Sequence, residues 1–160
     1  PYPVEVVAEM AAREEIVGIK NDDEQFNYYY ELCRATRKEQ FAVFSGGLMR
    51  NQYFGYPAGS PAYLCPIAPF CPAIALEFFE HLSSGRTDQA WDMVIRYEDE
   101  WIRKACELGW IQSLRSAFML YGLFPDNRHF MPGLTHTEAQ VEQVREILEE
   151  IFGPIQRVKC

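Results

Sequence analysis

Apolar positions in the first 64 residues fall alternately into helical and extended patterns. In Val4-Glu5-Val6-Val7-Ala8-Glu9-Met10-Ala11-Ala12 they recur at helical spacing, which predicts a helix over 3–13. Ile16, Val17 and Ile19 are β-branched and nearly contiguous around Gly18, the pattern of a parallel strand buried on both faces, here 15–20. Asn21, Asp22 and Asp23 offer N-caps for a helix from about Glu24 to Arg37. Phe41-Ala42-Val43-Phe44 reads as a second strand ending in Ser45-Gly46-Gly47, Leu48 to Gly55 as a short helix, and Ser60 to Leu64 as a third strand before a proline-rich loop. This alternation argues for βα units on a parallel sheet.

After Cys71 the pattern changes, and helical stretches follow one another with no strand between them. The predicted helices are Pro72–Ser83, Thr87–Leu108, Ile111–Phe124 and Thr137–Phe152, with Gly85 and Gly109 where C-terminal caps belong and one long loop at Asp126–Thr137. Three strands flanked by helices do not close a barrel, so the edge at 15–20 requires a cover: another part of the polypeptide, a partner subunit or a rearrangement. The chain opens at Pro1 directly into a helical pattern, which reads as a beginning cut from something longer.

The composition fits an ordered domain with a real core: 160 residues, 48% hydrophobic, 14% aromatic and 24% charged. A net charge of -8, from 15 Lys+Arg against 23 Asp+Glu, with no basic run, argues against a nucleic-acid partner. Cys33, Cys65, Cys71, Cys106 and Cys160 form an odd set without a CxxC pair, which suggests neither a disulfide framework nor a zinc site and fits a reducing cytoplasm. The longest apolar stretch, Tyr63 to Leu76, carries three prolines and falls short of a membrane span; no secretory signal is seen.

Lys20 is the residue with the clearest chemistry. Apolar walls at the end of a buried strand disfavour an ammonium relative to an amine, and only the neutral amine attacks a carbonyl, so Lys20 is a candidate Schiff-base nucleophile. A lysine that snorkels its charge into water is the alternative. Ser45-Gly46-Gly47, between a strand and a helix, suggests phosphate or carboxylate binding, because glycines let backbone N–H groups approach an anion; a plain turn is the other reading. Small residues and prolines from Ala58 to Pro69, among them Pro61, would let a strand backbone approach a ligand or pack tightly on a helix.

The remaining polar and aromatic features read as structural. Tyr28, Tyr29 and Tyr30 point in three directions on one helix and suit packing, and Tyr2 lies at a helix start, a poor place for a proton shuttle. His81, His129 and His136 lack metal-ligand spacing. Capping accounts for Asp22-Asp23-Glu24 without a metal, and Trp91, Trp101 and Trp110 suit packing of the helical tail.

Taken together, the strand Ile16-Val17-Gly18-Ile19-Lys20, the turn Phe44-Ser45-Gly46-Gly47, the segment Gly59 to Tyr63 with Ile67-Ala68-Pro69, and the helices after Cys71 resemble the C-terminal half of the dihydrodipicolinate synthase/N-acetylneuraminate lyase family of Schiff-base aldolases. The resemblance implies an α/β fold, a partial (β/α)8 TIM barrel of about three parallel strands corresponding to strands six to eight. Residues 1–70 would form the barrel part, and 71–160 the last barrel helix and a C-terminal helical extension. It implies that Lys20 condenses with pyruvate or a related 2-oxo acid, with Ser45, Gly46, Gly47 and Pro61 lining the pocket. No cofactor, metal, nucleic acid or membrane is implied, and the full-length protein is expected to be a cytoplasmic homo-oligomer.

Two positions depart from the family. Asp22 stands where a small or hydroxyl residue is common two places after the lysine, and Gly47 where an acidic residue is common. The family's proton-relay tyrosine and its threonine-bearing carboxylate loop are expected outside residues 1–160, so the isolated chain should be weakly active or inactive. Two other classes remain open, a phosphate-binding TIM-barrel enzyme using Gly46 and Gly47, and a non-catalytic barrel half acting in assembly.

Overall fold

The computed structural model describes residues 1–23, 25–131 and 133–157. Helix α1 (Val4–Ala11) is followed by β1 (Gly18–Asn21), α2 (Phe26–Thr36), β2 (Ala42–Ser45) and α3 (Met49–Gly55). The two strands pair in parallel, with Gly18 opposite Ala42, Ile19 opposite Val43, Lys20 opposite Phe44 and Asn21 opposite Ser45. Pairing already begins at Val17, whose carbonyl accepts from Ala42 N at 2.9 Å. Gly18 permits the approach, since a Cβ there would lie 2.6 Å from the Ala42 carbonyl oxygen.

The first strand is shorter than expected, and only one of its faces is covered. Ile16 N donates to Arg13 O, so the chain is still turning out of α1 where the sequence predicts strand. Ile19 packs with Val7, Tyr29, Leu32 and Val43 under α1 and α2, whereas Val17 is 74% exposed. The predicted helix start at Glu24 lies outside the described residues.

The third predicted strand, 60–64, contracts to a single parallel bridge between Tyr63 and Ser45. Ser45 N donates to Ala62 O at 3.1 Å and Leu64 N to Ser45 O at 3.3 Å, and there the ladder stops. Pro61 and Pro66 bracket the bridge without N–H groups and cannot extend it. The result is a helix-rich α/β fold around a two-stranded parallel sheet.

The helical part comprises α4 (Pro72–Ser83), α5 (Thr87–Met93), a π-helical segment (Val94–Asp99), α6 (Glu100–Leu108), α7 (Trp110–Leu120) and α8 (Glu138–Phe152). The helix predicted over 87–108 is therefore present, with a π turn at its centre. Trp101, Phe78, Ile67, Leu148 and Val144 are fully buried in the main core. Phe70 anchors it, with ring centroids 5.1 Å from Tyr121, 5.6 Å from Phe152 and 5.9 Å from Trp101. Trp91 packs 4.9 Å from Tyr53, joining the helical layer to α3 and so to the strand ends.

Helix α8 begins where the sequence places it because Thr137 and Gln140 form a capping box. Gln140 N donates to Thr137 Oγ1 at 3.3 Å, and Thr137 N donates to Gln140 Oε1 at 3.0 Å. Replacing Thr137 by alanine is expected to lower stability by about 1 kcal/mol, read from urea unfolding midpoints.

Candidate functional site

Strand alternation sorts the ends of β1 and β2 onto two faces. Val43 and Ser45 turn toward the helices and are buried, whereas Lys20 and its register partner Phe44 turn to the other face and remain accessible. The next position continues that open face with Asp22 beside Gly46. Lys20 Nζ donates to Asp22 Oδ2 at 2.6 Å. A Cβ at position 46 would lie 2.1 Å from Asp22 Oδ1 and 2.4 Å from the Asn21 carbonyl, which itself accepts from Gly46 N at 2.7 Å. Only glycine fits there. The structure thus gathers an amine, a carboxylate, an aromatic ring and a glycine at the C-terminal ends of two parallel strands.

The apolar environment expected for Lys20 is replaced by an ion pair, with its side chain 40% exposed on the uncovered face. Of the three N-cap candidates before α2, Asp23 accepts from Gln25 N at 2.8 Å, whereas Asp22 pairs with Lys20. Strand periodicity was the available signal for Asp22, since it places residues 20 and 22 on one face.

Ser45, expected to line the pocket, directs its hydroxyl into the helix layer. Its Oγ donates to Ser60 Oγ at 3.0 Å, and Ser60 Oγ donates to Gln52 Oε1 at 2.7 Å. Tyr29 OH donates to Val43 O at 2.8 Å beside them, and burial pushes its phenol up to about 12. These four buried side chains clamp β2 to α2, α3 and the segment after Gly59. They leave a cavity of about 60 Å³ lined by Asn21, Tyr29, Ser45, Gly46 and Asn51 on the far side of the sheet from Lys20.

Gly47 turns the chain into α3 at φ +68°, and Gly47→Ala is expected to cost about 1 kcal/mol in a thermal melt. Pro61 lies on the segment bridged to Ser45 and borders an apolar groove with Leu64, Leu76 and Phe79.

Two of the N–H groups at the start of α3 are already taken. Arg50 N donates to Glu98 Oε1 at 2.9 Å and Met49 N donates to Glu98 Oε2. Glu98 is fully buried, and burial raises its carboxyl to about 7 against the opposing pull of the Arg50 and Met49 N–H donors and the Arg50 charge. It projects from the π segment, where the helix is re-phased. No local signal marks it, since Val94-Ile95-Arg96-Tyr97-Glu98-Asp99 reads as ordinary helix and its partners are 48 and 49 residues away.

The histidines are dispersed. His136 is buried between Ser116 Oγ (3.0 Å) and Leu108 O (2.9 Å), His81 Nδ1 accepts from Arg86 Nε at 2.8 Å, and His129 stacks on Phe130 at 4.6 Å. Among the described residues no group of three or more His, Cys, Asp or Glu could hold a metal ion, and no helix is long and apolar enough to cross a membrane. Cys33, Cys65, Cys71 and Cys106 are free thiols; Cys160, like Glu24 of the acidic triplet, lies outside the described residues.

The site thus sits on a two-stranded parallel sheet with helices on one face, followed by a helical tail. Solved structures share this fold. N-acetylneuraminate lyase from Fusobacterium nucleatum superposes with a TM-score of 0.78 at 16% identity, over 94% of this chain and 50% of that one. Dihydrodipicolinate synthase from Oceanobacillus iheyensis gives 0.76 at 20% identity, over 92% and 50%. A prophage protein of the dihydrodipicolinic acid synthase family from E. coli K12, solved in complex with pyruvate, gives 0.72 at 14% identity, over 92% and 50%. No protein-family model and no curated protein matches the sequence. The chain has the fold of half of a dihydrodipicolinate synthase or N-acetylneuraminate lyase chain, consistent with the C-terminal half, and spans about half the length of the structures it matches.

Proposed function

We propose that this chain is the C-terminal half of a (β/α)8-barrel lyase in which Lys20 forms an imine with pyruvate or a related 2-oxo acid. In this reading β1, β2 and the Tyr63 segment are strands six, seven and eight. Residues 1–70 form the C-terminal part of the barrel, and 71–160 supply its last helix and a helical extension. The observation that carries the reading is the position of Lys20 at the C-terminal end of a parallel strand, on the open face and paired with Asp22, which itself abuts Gly46. Active sites of such barrels gather at that end. The pyruvate complex of the E. coli prophage protein adds support for a 2-oxo acid as ligand.

The amine of Lys20 attacks the keto carbon, water leaves, and the protonated imine draws electrons from the neighbouring carbon, which permits carbon–carbon cleavage or dehydration. Gly46, Gly47 and the backbones of Ser45 and Pro61 border the substrate. The complete protein assembles as a homo-oligomer in the cytoplasm. The phosphate-binding alternative is disfavoured by Glu98, whose carboxylate already accepts from Met49 and Arg50 N–H. Lacking the relay tyrosine, residues 1–160 alone are expected to fall about 10² to 10⁴-fold below the complete enzyme.

The test is borohydride reduction of the intact protein in the presence of pyruvate, followed by peptide mass mapping. An adduct on Lys20 is expected; an adduct on another lysine, or none, refutes the assignment.

A further inference from the structure

We propose that Asp22 is a catalytic acid–base residue for Lys20, an inference that rests on the imine reading above. Its Oδ2 is 2.6 Å from Lys20 Nζ, within the reach a proton transfer requires. Both groups are substantially exposed, at 40% and 63%, and such a pair adds little to stability. Yet the local structure is fitted around this carboxylate, because Asp22 Oδ1 occupies the space that any side chain at position 46 would take. Asp22 and Lys20 also share the open face of the sheet, so a substrate carbonyl that reaches the amine reaches the carboxylate.

An ammonium cannot attack a carbonyl, so its proton must first pass to a base. In the proposed sequence, Asp22 takes a proton from Lys20. The amine lone pair forms the C–N bond as the carbonyl π electrons move to oxygen, and a nitrogen proton transfers to that oxygen, giving a neutral carbinolamine. Asp22 then returns its proton to the carbinolamine hydroxyl, which leaves as water while the nitrogen lone pair forms the C=N bond. The balance is ammonium plus ketone giving protonated imine plus water, with Asp22 again a carboxylate and no other reactant consumed.

The test is a time course of borohydride-trapped pyruvate adduct in the intact protein, comparing wild type with Asp22→Asn and Asp22→Ala. Label on Lys20 is expected throughout, with formation slowed about 10²-fold in both variants and partly restored to Asp22→Ala by added acetate. Label on Lys20 in Asp22→Asn at a rate within about twofold of wild type would overturn the role of Asp22 and leave Lys20 as the nucleophile. Absence of label on Lys20 in the wild type would overturn both.

Discussion

Lys20→Arg is expected to abolish imine formation and, with it, turnover of any 2-oxo acid, a loss on the order of 10⁴-fold or more. A guanidinium keeps the charge and the contact with Asp22 but has no free amine to attack a carbonyl. The same substitution should barely change stability. Lys20 is on the open face and its ion pair with Asp22 is exposed, so the unfolding free energy should move by no more than about 0.5 kcal/mol. Steady-state assay together with urea unfolding separates the two effects. Lost activity with an unchanged midpoint marks a chemical role, whereas an equal loss in both marks a structural one.

Glu98→Ala is expected to lower stability by about 2–5 kcal/mol, because the buried N–H groups of Met49 and Arg50 lose their acceptor and a cavity opens beside α3. Glu98→Gln keeps the volume and one acceptor and should cost less, about 1–2 kcal/mol. The two variants should also differ from wild type in pH dependence. Folded Glu98 holds its proton to about pH 7, while the unfolded side chain releases it near 4.5. Between those values the folded state binds more protons, so this group's contribution to stability falls as pH rises through the window and is level above it. Urea midpoints between pH 4 and 8 should show that slope in wild type and lose it in Glu98→Gln.

The βα rhythm of residues 4–45 is legible in the sequence because periodicity and caps coincide there, as they do at the Thr137 capping box. The third strand is less so. Its apolar residues promise a ladder, but Pro61 and Pro66 limit it to one bridge at Tyr63. In the helical half the positions of buried residues follow from spacing, whereas the π turn at Val94–Asp99 answers to a distant need, an acceptor for the N–H groups of Met49 and Arg50 at the start of α3.

The candidate site divides in the same way. Lys20 and Gly46 are legible because strand ends and glycines have local signatures. The orientation of Ser45 depends on the register of β1 with β2, and register is a property of the pair rather than of either segment. The sequence marks Asp22 as a capping candidate and as a departure from the family pattern, but its place over Gly46 follows from the end of β1 at Asn21.

The most direct measurement is a crystal structure of the intact protein exposed to pyruvate. The proposed function predicts continuous density joining Lys20 Nζ to the keto carbon, with the carboxylate of Asp22 beside the new bond. Pyruvate bound elsewhere, or Lys20 still paired with Asp22 and free of ligand at saturating pyruvate, would contradict it.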